Sequence, residues 1–165
     1  MMTHKLNLLL ASLVLLLLTT TAASAQKVEV IKFADLKELR NQPHDTLYVV
    51  NFWATWCRPC IKELPYFEAA NQKYKGQPVK VVLVSMDAVE DLDSRVKTFV
   101  QKRGLQSELL LLDEVDGNSW IDKLEPKWSG AIPATMVFNN KRGHYEFREA
   151  EMTEEELTTI IEKYK

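Results

Sequence analysis

Leu47-Tyr48-Val49-Val50-Asn51-Phe52-Trp53, followed by Ala54-Thr55-Trp56-Cys57-Arg58-Pro59-Cys60, places an apolar, β-branched run directly before two cysteines spaced by three. Continuous apolar runs of this length suit a strand covered on both faces. Beyond Cys57 the pattern towards Tyr74 reads as a helix, with Pro59 in its first turn, where a missing N–H costs nothing. Both cysteines of the chain therefore lie at a strand-to-helix junction. A thiol there faces unpaired backbone N–H groups and the positive end of the helix dipole, which favour thiolate, the species that attacks disulfides. Cys57 is expected at the exposed start of the helix, with Cys60 one turn further in and beneath it. Arg58 adds a cation nearby.

Two other uses of a cysteine pair compete. A structural disulfide closing so short a loop restrains the unfolded chain by only about 2 kcal/mol, against about 4.7 for a 100-residue loop. The spacing is poor for a staple and good for exchange. A closed zinc site wants four ligands, and His44 and His144, far apart in sequence, make a weak completion of the pair.

Working outwards, Val79 to Met86 is a second buried strand and Leu109 to Leu112 a shorter one. Between them Leu92, Val96, Phe99 and Val100 recur at helical spacing, predicting an amphipathic helix over 91–103 that stops at Gly104. Ala134 to Phe138 and His144 to Arg148 flank a turn-like Asn139 to Gly143 and predict an antiparallel hairpin, in which Tyr145 and Phe147 alternate with His144, Glu146 and Arg148 as suits a half-exposed strand. Thr153-Glu154-Glu155-Glu156 is a capping box for a last helix carrying Leu157, Ile160 and Ile161. Pro65 falls inside the helix after the cysteines, where it shapes the axis. The predicted order is β-α-β-α-β, a short helix near 118–124, then β-β-α, with 28–40 as an opening strand or helix.

At the N-terminus, Lys5, the apolar Leu6 to Leu18 and the small residues Ala23-Ser24-Ala25 read as a signal peptide cut after Ala25. Thirteen residues are short of the ~20 a membrane-spanning helix needs. Residues 26–165 then form one domain of 140 residues, without repeats or low-complexity linkers. Of 21 basic residues Lys5 is lost, leaving 20 against 23 acidic ones, a formal charge of −3. That balance gives no electrostatic case for nucleic acid or an anionic membrane surface as partner.

Val49 through Cys60, followed by Glu63 and Pro65, resembles the thioredoxin superfamily, and within it the TlpA/ResA-like branch of extracytoplasmic oxidoreductases. Gly130-Ala131-Ile132-Pro133-Ala134-Thr135 is similar to that family's cis-proline loop. The resemblance implies a three-layer α/β/α sandwich around a central mixed sheet and thiol-disulfide exchange with protein clients. Cys57 would be the attacking thiol and Cys60 the resolving one. Ile132-Pro133 would be cis and, with Trp56, would meet the bound client, while Arg58 and Pro59 would tune the redox couple. Asn51 stands where cytoplasmic thioredoxins carry a buried Asp, and an amide cannot take up that acid's proton. Glu63 matches the acid of this branch and is expected to have a pKa raised by burial and to manage the Cys60 proton. The family implies no cofactor or metal, a monomer, and a membrane thiol-disulfide electron donor that keeps a periplasmic reductase reduced, for example for cytochrome c maturation or metal-site assembly. The rivals are a DsbA-like oxidase, which usually carries an inserted helical domain, and a non-catalytic thioredoxin-fold protein that binds a partner or a metal such as copper.

Overall fold

The computed structural model describes residues 26–165; the predicted signal peptide over 1–25 lies outside the described residues. Six strands, β1 (Val28–Ile31), β2 (Leu47–Trp53), β3 (Val79–Ser85), β4 (Glu108–Leu112), β5 (Ala134–Asn139) and β6 (His144–Arg148), form one sheet in the order β1-β4-β3-β2-β5-β6. The four strands from β1 to β2 in that order run parallel, and β5 and β6 are antiparallel additions. Five α-helices cover the sheet: α1 (Phe33–Arg40), α2 (Arg58–Lys73), α3 (Lys97–Arg103), α4 (Ile121–Leu124) and α5 (Glu154–Tyr164). The result is a mixed-sheet α/β/α sandwich. Among the described residues no helix is long and apolar enough to cross a membrane.

Period-two alternation along β2 sorts its side chains between two cores. Leu47, Val49 and Trp53 point to one face, where Leu64 and Phe67 of α2, Val96 and Val100 before and within α3, and Leu157, Ile160 and Ile161 of α5 close over them. Tyr48, Val50 and Phe52 point to the other, against Leu36 of α1, Leu124 of α4, Trp120, Trp128 and Phe138. Both neighbours of β2 are strands and both of its faces are covered, so all seven residues are buried.

One detail differs from the expectation. The stretch predicted as one helix over 91–103 begins with a tight turn at Val89–Asp91 and a wide turn at Leu92–Val96 before α3, although Gly104 ends it in the left-handed region (φ 65°) as expected. The second hairpin strand is half-exposed as expected, with Tyr145 39% exposed. β6 is the sheet's edge, and what lies over Tyr145 is the Arg40 guanidinium, 4.5 Å from the ring centre, while its hydroxyl donates to Glu125.

The register decides where the chemistry sits. Trp53 pairs with Ser85, and Phe52 pairs with Ala134. The segments that follow β2 and β3 and the one that precedes β5 therefore emerge at the same end of the strands. They carry Cys57, Asp87 and Pro133 respectively.

Candidate active site

Cys57 occupies the N-cap of α2 with extended backbone (φ −86°, ψ 98°), and its sulfur accepts the Cys60 N–H at 3.3 Å. This is the position where a helix presents unpaired donors to a negative charge. Cys57 and Cys60 are joined as a disulfide. Arg58 and Pro59 form the exposed first turn, and the helix continues through Pro65, whose ring faces solvent. Cys60 is fully buried and Cys57 is 4% exposed. The expectation of an openly exposed Cys57 is thus corrected: the loop before β5 lies over it, with the Ile132 carbonyl oxygen 3.7 Å from Cys57 Sγ. Trp56, 62% exposed, is the outward side chain next to the sulfur pair.

That covering loop contains the one cis peptide among the described residues, Ile132-Pro133, with Pro133 buried and Ile132 half-buried. The Trp128 indole N–H donates to Ala131 O at 2.8 Å and holds the loop from beneath. Trp128 itself is core, packed on Phe52 at a ring-centre distance of 4.6 Å.

Glu63, one turn after Cys60 on α2, is fully buried. Asn51 Nδ2 donates to its Oε1 at 2.8 Å and the Met152 backbone N–H to its Oε2 at 2.7 Å. Asn51 also donates to Thr135 Oγ1 at 3.1 Å across the β2–β5 pair. Burial pushes the carboxyl up to about 7, the nearby Glu151 carboxylate adds to the rise, and the hydrogen bonds from Met152 and Asn51 hold it back. A group poised there exchanges a proton readily at neutral pH. Asn51 does not replace the missing aspartate as an acid; it holds the acid that α2 supplies.

Asp87 was not singled out by the sequence reading. Its carboxylate is 2% exposed and accepts the Thr55 N–H at 2.9 Å, the Thr55 hydroxyl at 2.5 Å and the Ser85 hydroxyl at 2.8 Å. It fixes the turn that carries Trp56 into Cys57. The available signal was a pair of polar residues, Ser85 and Asp87, closing an apolar strand parallel to the one that ends at the cysteines.

No three His, Cys, Asp or Glu side chains converge as a metal site among the described residues. His44 precedes β2 while the cysteines follow it, and a seven-residue strand separates its ends by roughly 20 Å. His144 starts the edge strand β6 and packs tilted against Tyr164.

Residues 19–143 match the AhpC/TSA family. The thiol-disulfide oxidoreductase ResA of Bacillus anthracis is 37% identical over 75 residues, 46% of this chain and 39% of that protein. ResA of a Bacillus cereus strain is 29% identical over 133 residues, 80% of this chain and 69% of that protein. The chain thus spans well under half the length of the first of these relatives in the matched region. A thioredoxin-related protein from Neisseria meningitidis serogroup B has the same fold, with a TM-score of 0.61 at 24% identity over 73% of this chain and 86% of that one.

Proposed function

The chain belongs to the AhpC/TSA family of thioredoxin-fold proteins, and from that premise we propose that it is an extracytoplasmic thiol-disulfide oxidoreductase that reduces disulfides of protein clients. The observation that carries the reading is a disulfide-forming pair whose first sulfur caps a helix and accepts its N–H, with a buried, neutral-range carboxyl one turn further along.

In the reduced protein the Cys57 thiolate attacks one sulfur of a client disulfide. The client S–S bond breaks, the client's other sulfur leaves as thiolate and takes up a proton, and a mixed disulfide joins Cys57 to the client. Glu63, as carboxylate, accepts the Cys60 proton, and the Cys60 thiolate attacks Cys57 Sγ. The mixed disulfide breaks, the client's second sulfur leaves as thiolate, and the Cys57–Cys60 disulfide forms. Two electrons have passed to the client, and a thiol donor at the membrane must return them. Trp56, Ile132 and the backbone around Pro133 form the surface an extended client segment meets; Arg58 and Pro59 in the first turn of α2 tune the couple.

Two features support a reductase over a DsbA-like oxidase. The described residues form one sheet with its covering helices and no inserted helical domain, and the named relatives are thiol-disulfide oxidoreductases of the ResA type. The signal-like residues 1–25 support export and removal, leaving 26–165 as the working domain outside the cytoplasm.

Reduction of a protein disulfide such as insulin's, driven by a chemical thiol, should proceed with the native chain and vanish in Cys57→Ser, while Cys60→Ala should accumulate mixed disulfides with clients. A redox titration separates the directions. A reductase should lie near the about −270 mV of thioredoxin, and a value near the about −120 mV of a strong oxidase contradicts that part of the reading.

A further inference from the structure

Residues 149–153, between β6 and α5, touch the site at two points three residues apart. Met152 gives its N–H to the buried Glu63. Glu149 gives its carboxylate to the loop that covers Cys57. Its Oε2 accepts the Ser129 N–H at 3.1 Å, its Oε1 accepts the Ala131 N–H at 3.2 Å, and the Ser129 hydroxyl donates to Oε1 as well. The Ala131 N–H is shared with Ser129 Oγ at 3.4 Å.

Between these donors Gly130 takes φ 92°, which lets two nearby backbone N–H groups turn towards one carboxylate. Among the described residues Glu149 joins no ion pair, so these loop donors are its charge partners. The Ser129 hydroxyl first, with the Ser129 and Ala131 N–H groups, keeps its pKa below the usual carboxylate range, so it stays charged at neutral pH. The loop is thereby clamped from both sides: Glu149 on the N–H side and the Trp128 indole on the Ala131 carbonyl. One residue further on, the Ile132 carbonyl lies against Cys57 Sγ.

We infer that Glu149 is a positioning residue for client binding, setting the backbone of Ser129 to Ala131 so that the Ile132 edge stands ready beside Cys57 for an extended peptide. The inference rests on the exchange reading above. A flexible loop would have to order at each encounter, and that cost would fall on binding rather than on the chemistry of the sulfurs. Charge-assisted hydrogen bonds to one carboxylate are among the stronger local restraints a loop can have.

The test uses full-length Glu149→Gln, which keeps the size and loses the charge, with Ser129→Ala as a second variant that removes one donor and leaves the carboxylate. Reduction of a peptide disulfide should show KM raised about tenfold in Glu149→Gln and less in Ser129→Ala, with kcat within about twofold. The rate at which the reduced protein reacts with a small aromatic disulfide reagent should stay unchanged. Amide hydrogen exchange at Ser129 and Ala131 should accelerate about tenfold in Glu149→Gln. An unchanged KM overturns the inference, and so does a parallel fall in kcat and small-reagent reactivity, which would mean damage to the cysteines. Should the native chain itself fail to reduce the peptide, the exchange reading fails instead. Amide exchange then decides alone: unchanged rates at both amides remove Glu149 from its anchoring role.

Discussion

The two faces of the sheet are built for different ends. On one, Tyr48, Val50, Phe52, Met136 and Phe138 meet Trp120 and Trp128 in an apolar core that carries a cluster of aromatic rings, with Tyr48 and Phe138 stacked at 5.2 Å and Trp120 set edge-on to Trp128. On the other, the same strands β2 and β5 bring Asn51 and Thr135 into an otherwise apolar core beneath α2, where Glu63 is fully buried. Burying a carboxyl disfavours its charged form, and hydrogen bonds recover only part of the cost. The aromatic face therefore supplies stability and, through Trp128, a prop for the loop over Cys57, while the face under α2 gives up stability to hold a group that changes protonation near neutral pH.

The sharpest way to break this contrast is to cut into the aromatic face far from the cysteines. Phe138→Ala, at 1% exposure and paired with Tyr48 near the start of β2, should cost about 3–5 kcal/mol in urea unfolding. The ionisation of Cys57 should not move with it. A large shift in thiol reactivity in this variant would show that the two faces are not separable.

Next in size is the pH dependence of the polar face. Glu63 titrates at about 7 in the folded chain against an ordinary 4.5. Between those values the folded protein keeps a proton that the unfolded chain has released, so stability falls as pH rises across the window. The total is roughly 3 kcal/mol, with no further loss from this group above the window. Glu146, Glu149, Glu156 and Glu162 all have lowered pKa values, so their titration acts below this window. Urea unfolding of the oxidised protein at pH 4.5, 6 and 8 should show the fall, and Glu63→Gln should flatten it. A flat native profile removes the raised carboxyl from the account.

A smaller effect isolates Asn51. Asn51→Leu deletes the donor to Glu63 Oε1 and leaves Met152 in place, so the Glu63 carboxyl should rise further, by roughly one unit. A carbon-detected titration of the Glu63 carboxyl reads this directly. An unmoved value would make Asn51 a packing residue and leave the Met152 N–H as the main restraint.

Much of this architecture was legible in the chain because the decisive signals are local. β2 and β3 declare themselves by continuous β-branched runs, α5 by the box of Thr153 and Glu156, in which Thr153 Oγ1 accepts the Glu156 N–H at 3.2 Å, and the cysteine junction by its own spacing. Glu63 was legible through the family resemblance and its place one turn after Cys60. What escaped depends on distant partners. The shielding of Cys57 comes from Ile132, 75 residues away, and the second hydrogen bond to Glu63 from a backbone N–H at Met152, which no side-chain pattern reveals. β1 was ambiguous because it is short and half-exposed, and its place beside β4 is set by strand order rather than by its own residues. Asp87 escaped because its partners, Thr55 and Ser85, lie on two strand ends that only the parallel pairing of β2 and β3 brings together.

Everything proposed for the site requires that α2 ionise the sulfur at its start. In reduced Cys60→Ala, the rate of Cys57 alkylation by iodoacetamide measured against pH should give a thiol pKa clearly below the about 8.5 of a free cysteine. A value at or above 8.5, or a sulfur that alkylates at no pH in the folded protein, would contradict the exchange mechanism at its first step.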